Sequence, residues 1–258
     1  MAVSPNASTA PRHGRAFGAV FDLDGTLLDT EGISEQAIDR VVAAHGRRHS
    51  TALHKTLLGR PSAEWTSMVL DAFELHGVLE PLELAREWER HLHAMLPEVR
   101  ALPGALELLR ELHARGVPLA LATSSSTHAV AAKRAAHPEL FAYFAVVVCG
   151  DDPLVARGKP EPDIFLLAAK RLRAAVAAAR GGAGAGAAGD AGAEELPRCV
   201  VFEDSALGVQ AGNAAGMFTV AVPDARIYED AAERQALYAH ADVIIASLAD
   251  FRPEHHGW

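Results

Sequence analysis

At 258 residues, half of them hydrophobic and 22% charged, the chain has the composition of a globular protein, either one large domain or a core plus a smaller one. A formal net charge of −9 argues against nucleic acid as a partner, because phosphate backbones select basic surfaces, but it leaves room for a small phosphate ester held by local cations. No stretch is long and apolar enough to span a membrane. Cys149 and Cys199 are too few for a disulfide framework and read as buried free thiols of a reducing compartment, so a cytoplasmic location is expected.

Residues 1–14 contain no acid, carry Arg12 and are rich in small and hydroxyl side chains. They read as a flexible N-terminus with a faint likeness to an organelle targeting segment. The first predicted strand, Ala16 to Phe21, runs into Asp22-Leu23-Asp24-Gly25-Thr26. Positions i and i+2 of an extended chain point the same way, so both carboxylates converge at the strand's carboxyl end, where open α/β sheets place ligands. Two acids in one pocket raise one pKa unless a cation sits between them. The pair fits a Mg²⁺ site beside a nucleophilic carboxylate of the kind that forms an aspartyl-phosphate. A solvated turn after a strand is the plainer alternative.

The next predicted strand comes far later than a crossover helix requires. Apolar residues in between recur at helical spacing: Ile33, Ala37, Ile38, Val41 and Val42, then Trp65, Met68, Val69, Ala72 and Phe73, then Leu84, Trp88, Leu92 and Met95. Residues 31–102 therefore read as a helical cap emerging beside the Asp22/Asp24 site. Arg60, in Leu57-Leu58-Gly59-Arg60-Pro61, falls in a break between two helical patterns. From there it could reach the cleft and choose among substrates.

A helix from Pro103 to Arg115 leads to the strand Val117 to Thr123 and then to Ser124-Ser125-Ser126. Hydroxyls and free amides at a strand end, running into a helix, suit an anion, although Ser and Thr are also ordinary helix caps. The strand Ala145 to Cys149 precedes Lys159, one of four lysines with Lys55, Lys133 and Lys170. A lysine held before two prolines can clamp a phosphoryl oxygen and offset a neighbouring carboxylate. Residues 174–195 are nearly all Ala and Gly and read as a flexible insertion whose first part could extend the preceding helix. The strand Cys199 to Phe202 ends in Glu203-Asp204, a second acidic pair offering hard oxygen ligands. Strands Phe218 to Val222 and Asp242 to Ala246 close the series. Strands alternating with helices give an α/β fold, a Rossmann-like parallel sheet core built from 15–30 and 103–258 around the inserted helices.

Taken in order, Asp22-Leu23-Asp24-Gly25-Thr26, Thr123, Lys159 and Glu203-Asp204 resemble the four motifs of the haloacid dehalogenase (HAD) superfamily. The helical insertion is similar to that family's C1 cap. A narrower likeness, to the subgroup of pseudouridine-5′-phosphatases, plant glycerol-3-phosphatases and flavin-mononucleotide hydrolases, rests on four segments: Gly150-Asp151-Asp152-Pro153, the run from Gly158 to Phe165, Val201 to Asp204, and Ser247 to Glu254. The resemblance implies that Asp22 attacks phosphorus and that Asp24 protonates the leaving alcohol and then activates water. It implies that Thr123 and the Ser124 amide hold a phosphoryl oxygen while Lys159 orients the phosphate. Mg²⁺ would be held by Asp22, the Asp24 carbonyl and Asp204, with Glu203 directly or through water. The implied protein is a monomeric Mg²⁺-dependent hydrolase of a small phosphate monoester. A β-phosphoglucomutase-like mutase would share every core motif, with Arg60 as cation for a second phosphate. A catalytically silent binding module on the same scaffold is disfavoured by the intact acidic pairs, and a dehalogenase by Asp24.

Overall fold

The computed structural model describes residues 16–57, 60, 62–181 and 198–258. Segment 1–14 and residues 182–195 of the Ala/Gly-rich stretch, both expected to be flexible, lie outside these. In chain order the main elements begin with β1 (Gly18–Phe21), α1 (Glu31–Ala43), α2 (Thr51–Leu57), α3 (Ser62–Phe73) and α4 (Pro81–Met95). Next come α5 (Ala105–Ala114), β2 (Leu119–Thr123), α6 (Thr127–Ala136), α7 (Pro138–Phe141), β3 (Val146–Cys149) and α8 (Asp163–Ala179). The series ends with β4 (Cys199–Glu203), α9 (Ala206–Ala214), β5 (Phe218–Ala221), α10 (Ala231–Leu237) and β6 (Val243–Ile244).

β1, β2 and β4 are apolar along nearly their whole length and buried throughout, the pattern of parallel strands covered on both faces. Side chains alternate between two cores. Ala19, Phe21, Leu121 and Phe202 pack with Leu109 and Leu112 of α5, while Val20, Ala120, Ala122 and Val201 pack with Phe165, Ala168 and Leu172 of α8. Each large apolar side chain so buried contributes roughly 1.5–3 kcal/mol. That reserve lets the sheet carry an unbalanced cluster of carboxylates at its edge.

All pairings are parallel and the strand order is β3-β2-β1-β4-β5-β6. The chain enters in the middle, fills one side, and crosses back to lay β4 beside β1. Connections thus leave β1 and β4 in opposite directions, which opens a crevice at their carboxyl ends. Phe21 and Phe202 are partners in the ladder, their rings stacked with centroids 4.4 Å apart. The next residues, Asp22 and Glu203, therefore stand side by side at the carboxyl edge of the sheet.

The strands are shorter than their apolar runs suggest. Pro118 has no N–H to donate, so β2 starts at Leu119, although the Pro118 carbonyl still accepts from Ala19 N–H at 3.0 Å. β4 extends one residue further than expected, through Glu203, and the last strand shrinks to Val243–Ile244. The start of the Ala/Gly-rich stretch is a correction to the flexible reading: residues 174–179 complete α8, as alanine's helix propensity favours. Both cysteines are buried and free. Among the described residues no helix is long and apolar enough to cross a membrane.

Between β1 and α5 the described residues form α1 to α4 and a short 3-10 turn, with an apolar cluster of their own in which Ile38, Val42, Val69, Leu70 and Leu84 are buried. Its entry and exit are tied together. Asp29 N–H donates to the Arg100 carbonyl and Leu102 N–H to the Leu27 carbonyl, each at 2.9 Å, and Leu28 bridges Ala101 in antiparallel fashion.

Candidate active site

Asp22 stands just past β1, 5% exposed, its N–H donating to the Phe202 carbonyl at 3.0 Å. Lys159, 4% exposed, donates from Nζ to Asp22 Oδ1 and to Glu203 Oε1, both at 2.5 Å. The other Glu203 oxygen accepts from Ser205 N–H at 2.8 Å and from the Ser205 hydroxyl at 3.0 Å. Ser205 Oγ in turn accepts Gly208 N–H and caps α9. A Cβ at Gly208 would fall 1.8 Å from Glu203 Oε1, so this helix turn reaches the glutamate only as glycine.

Asp204 completes the acidic group, accepting from the Thr26 hydroxyl at 2.9 Å. The Tyr238 hydroxyl donates to its carbonyl at 2.5 Å. Gly25 has φ +79°, and a Cβ there would meet Asp204 Oδ2 at 2.2 Å. Both the backbone conformation and the close approach require glycine after Asp24.

Three carboxylates, Asp22, Glu203 and Asp204, thus gather at this end of the sheet, and the one ammonium among them, Lys159, pairs with the first two. Burial drives the Asp22 carboxyl up, Lys159 pulls it back, and Glu203 and Asp24 push it up again, leaving it at about 7. Asp204 lies well above the usual carboxylate range, through burial and then the charges of Glu203 and Asp22. This excess of hard anionic oxygen suits a divalent cation. Asp22 and Asp204 are the side chains with most to gain from one, since both Glu203 oxygens already accept protein hydrogen bonds.

The charge state of Asp22 gives a direct expectation for stability. Its carboxyl holds a proton more tightly folded, at about 7, than unfolded, at 3.8. The folded chain therefore binds more protons in that window, and the stability this group lends at low pH is lost as pH rises through about 7. Without metal, wild type should fall increasingly behind Asp22→Asn in Tm as pH climbs through the window. Thermal melts of both proteins in chelator measure this, and a gap independent of pH would show that Asp22 keeps an ordinary pKa.

Asp24 has a different environment. Lys133 Nζ donates to its two oxygens at 2.5 and 2.6 Å, Ser125 Oγ at 2.8 Å and Thr30 Oγ1 at 2.9 Å. Burial alone would raise its pKa, but the Lys133 charge and these hydrogen bonds hold it below the usual value. Lys133, 2% exposed, also donates to Ser125 Oγ at 2.8 Å. Thr123, buried at the end of β2, accepts Ser125 N–H at 3.1 Å, and its hydroxyl lies 3.5 Å from Asp24 Oδ2. Ser124 lines the cleft beside it, and Gly150 is what lets the chain after β3 pass so close, since a Cβ would meet the Ser124 carbonyl at 2.4 Å.

Asp22, Asp24, Thr123, Ser124, Lys159, Glu203 and Asp204 therefore line one cleft of about 640 Å³, whose other wall comes from the helical insertion, including Trp65 and Trp88. Arg60 also lines it, but its guanidinium donates to the Thr56 carbonyl at 2.7 Å and to Glu64 Oε2 at 3.2 Å. It thus stands on the cleft wall, as its place between helical patterns suggests, with its guanidinium already paired inside the insertion. Lys133 and Thr30 are the residues sequence reasoning missed, and Ser125, expected only as part of an anion site, proves to hold Asp24. The signal for Lys133 was a charge on the same face of α6 as the buried Ala129 and Val130, in a chain poor in lysine.

Residues 18–216 match the family described as haloacid dehalogenase-like hydrolase. A Drosophila melanogaster relative named "Probable pseudouridine-5′-phosphatase" is 38% identical over 92% of both chains. The (DL)-glycerol-3-phosphatase 2 of Arabidopsis thaliana is 34% identical over 98% of this chain and 96% of its own. Among solved structures, CbbY from Rhodobacter sphaeroides in complex with phosphate superposes with a TM-score of 0.67 at 26% identity, covering 91% of this chain and 96% of its own.

Proposed function

The chain belongs to the haloacid dehalogenase-like hydrolase family and is a phosphoric monoester hydrolase, and from that premise we propose that Asp22 is its nucleophile, Asp24 its acid/base and Mg²⁺ its cofactor. The observation that carries this reading is the Lys159 bridge between Asp22 and Glu203 at the sheet's switch point, with Asp24 held separately by Lys133.

In the first step an Asp22 oxygen forms a bond to phosphorus as the bond to the ester oxygen breaks, and Asp24 gives its proton to the departing alcohol. In the second step Asp24 takes a proton from water, the water oxygen attacks the aspartyl-phosphate at phosphorus, and phosphate leaves as the Asp22 carboxylate returns. Lys133 favours the ionised Asp24 that the second step needs. To act as acid in the first, Asp24 must carry a proton and loosen its pairing with Lys133. Thr123, the Ser124 amide and Lys159 hold the phosphoryl oxygens. Mg²⁺ fits the surplus of buried carboxylate charge described above, with Asp22, Asp204 and the Asp24 carbonyl as ligands and Glu203 fixing Lys159. Bound there, the ion would offset the charge of those carboxylates and of the phosphoryl group.

The substrate we favour is a nucleotide such as pseudouridine 5′-phosphate, ahead of glycerol 3-phosphate. Trp65 and Trp88, ring centroids 5.2 Å apart, give the cleft an aromatic wall suited to a base. A panel of pseudouridine 5′-phosphate, uridine 5′-monophosphate, glycerol 3-phosphate, flavin mononucleotide and hexose phosphates, read as phosphate release with Mg²⁺ and with chelator, tests the reading. Preference for a nucleotide and loss of activity in chelator are expected. Isomer formation without phosphate release would favour the mutase, and no turnover on any ester would favour a binding module.

Arg60 offers a sharper check on the insertion. A charge-assisted hydrogen bond is worth about 1.5–3 kcal/mol, and Glu64 competes for this guanidinium. Arg60→Ala should therefore lower kcat/KM on the preferred substrate by about tenfold at most and leave a small generic ester nearly unchanged. Equal losses on both would place Arg60 among the groups that hold the transferred phosphoryl.

A further inference from the structure

We propose that Glu89, His93 and His128 form a second metal site, selective for a transition metal of the zinc class, that bridges the helical insertion and the sheet core. Glu89 and His93 sit four residues apart on one face of α4, and His128 stands in the first turn of α6. One ligand atom from each lies within 4.8 Å of the other two. The His93 and His128 rings approach to 5.2 Å between centroids.

An ordinary helix-surface ion pair does not account for this group. Glu89 Oε1 is 3.9 Å from His93 Nε2, too far for a hydrogen bond. His93 Nε2 is buried and has no hydrogen-bond partner. A buried polar atom left unpaired costs about 1–3 kcal/mol, and a metal ion is a partner that removes the cost. Burial lowers the His93 pKa against the pull of Glu89, with His128 and Lys133 adding to the effect, which favours the neutral imidazole over the charged one.

The donor set separates this site from the acidic cluster around Asp22. Two imidazoles and one carboxylate suit zinc, whereas Mg²⁺ prefers oxygen ligands alone. Atoms around a tetrahedral zinc lie roughly 3–3.5 Å apart, so small side-chain rotations close the group on an ion and leave a fourth position for water. α4 belongs to the insertion, and α6 carries Lys133 and follows the serine loop. An ion here links the wall of the cleft to the floor.

This inference stands whether or not the phosphatase reading holds, and binding tests it without any substrate. With excess Mg²⁺ present, Zn²⁺ titrated into the full chain should occupy one tight site, monitored by calorimetry. His93→Gln and His128→Ala should each weaken that site by at least ~100-fold, beyond the ~10–100-fold typical of an outer-shell partner. Zn²⁺ binding unchanged in both variants would overturn the proposal. A measurement on wild type guards against variants that fail to fold. X-ray absorption of protein carrying one equivalent of Zn²⁺ should show scattering from two imidazoles, and oxygen ligands alone would overturn it.

Discussion

Asp22→Asn should reduce phosphate release to background on every ester. An amide is a far poorer nucleophile than a carboxylate, and the substitution also removes one of the charges that attract the metal. The loss should be in phosphoenzyme formation itself. Rapid-quench trapping of labelled phosphate on wild type, and none on the variant, checks this. Because neutralising Asp22 also relieves repulsion with Glu203 and Asp24, the inactive variant should melt no lower than wild type without metal. Turnover above a trace by a well-folded Asp22→Asn protein would show that another residue attacks.

Asp24→Asn should retain the nucleophile yet lose about 10²–10⁴-fold in turnover of an alkyl phosphate, the usual worth of general acid–base help. An aryl ester with a good leaving group needs less protonation, so its phosphoenzyme should form with a smaller loss. Equal losses in that step for both esters would argue against Asp24 as the acid. The Lys133 contacts add a second arm. Lys133→Met leaves Asp24 in place but removes the charge that holds it ionised. The pKa governing the base step should then move up, shifting the rising limb of the rate profile to higher pH. A profile identical to wild type would make Lys133 a structural partner only.

Much of the fold is legible because parallel strands leave a plain trace. Ala19-Val20-Phe21 and Val200-Val201-Phe202 are apolar without alternation, as strands buried on both faces must be. Residues at the ends of such runs are brought together by topology alone, which is why Asp22 and Glu203 are legible in sequence, with Lys159 in the loop that follows β3. Register is harder to read. Nothing in either strand announces that Phe21 lies opposite Phe202, yet that pairing sets the spacing of Asp22 and Glu203. Lys133 escapes for a related reason: its partner Asp24 is 109 positions away, and only the packed α6 brings the two together. Arg60 is legible in part: its break between helical patterns puts it on the cleft wall, but the local pairing with Glu64 depends on side-chain geometry.

The joined ends of the helical insertion carry an evolutionary consequence. Because Leu27 to Asp29 and Arg100 to Leu102 are already zipped to each other, the sheet meets the intervening chain as a closed eyelet, not as two loose ends. Once such an eyelet is shut, lengthening the thread beyond it is cheap, only about 0.6 kcal/mol per doubling for a flexible loop. Lineages could therefore enlarge, trim or replace the thread with little disturbance to the strands that carry the carboxylates. New leaving groups could be tried on an old nucleophile, one wall of the cleft at a time.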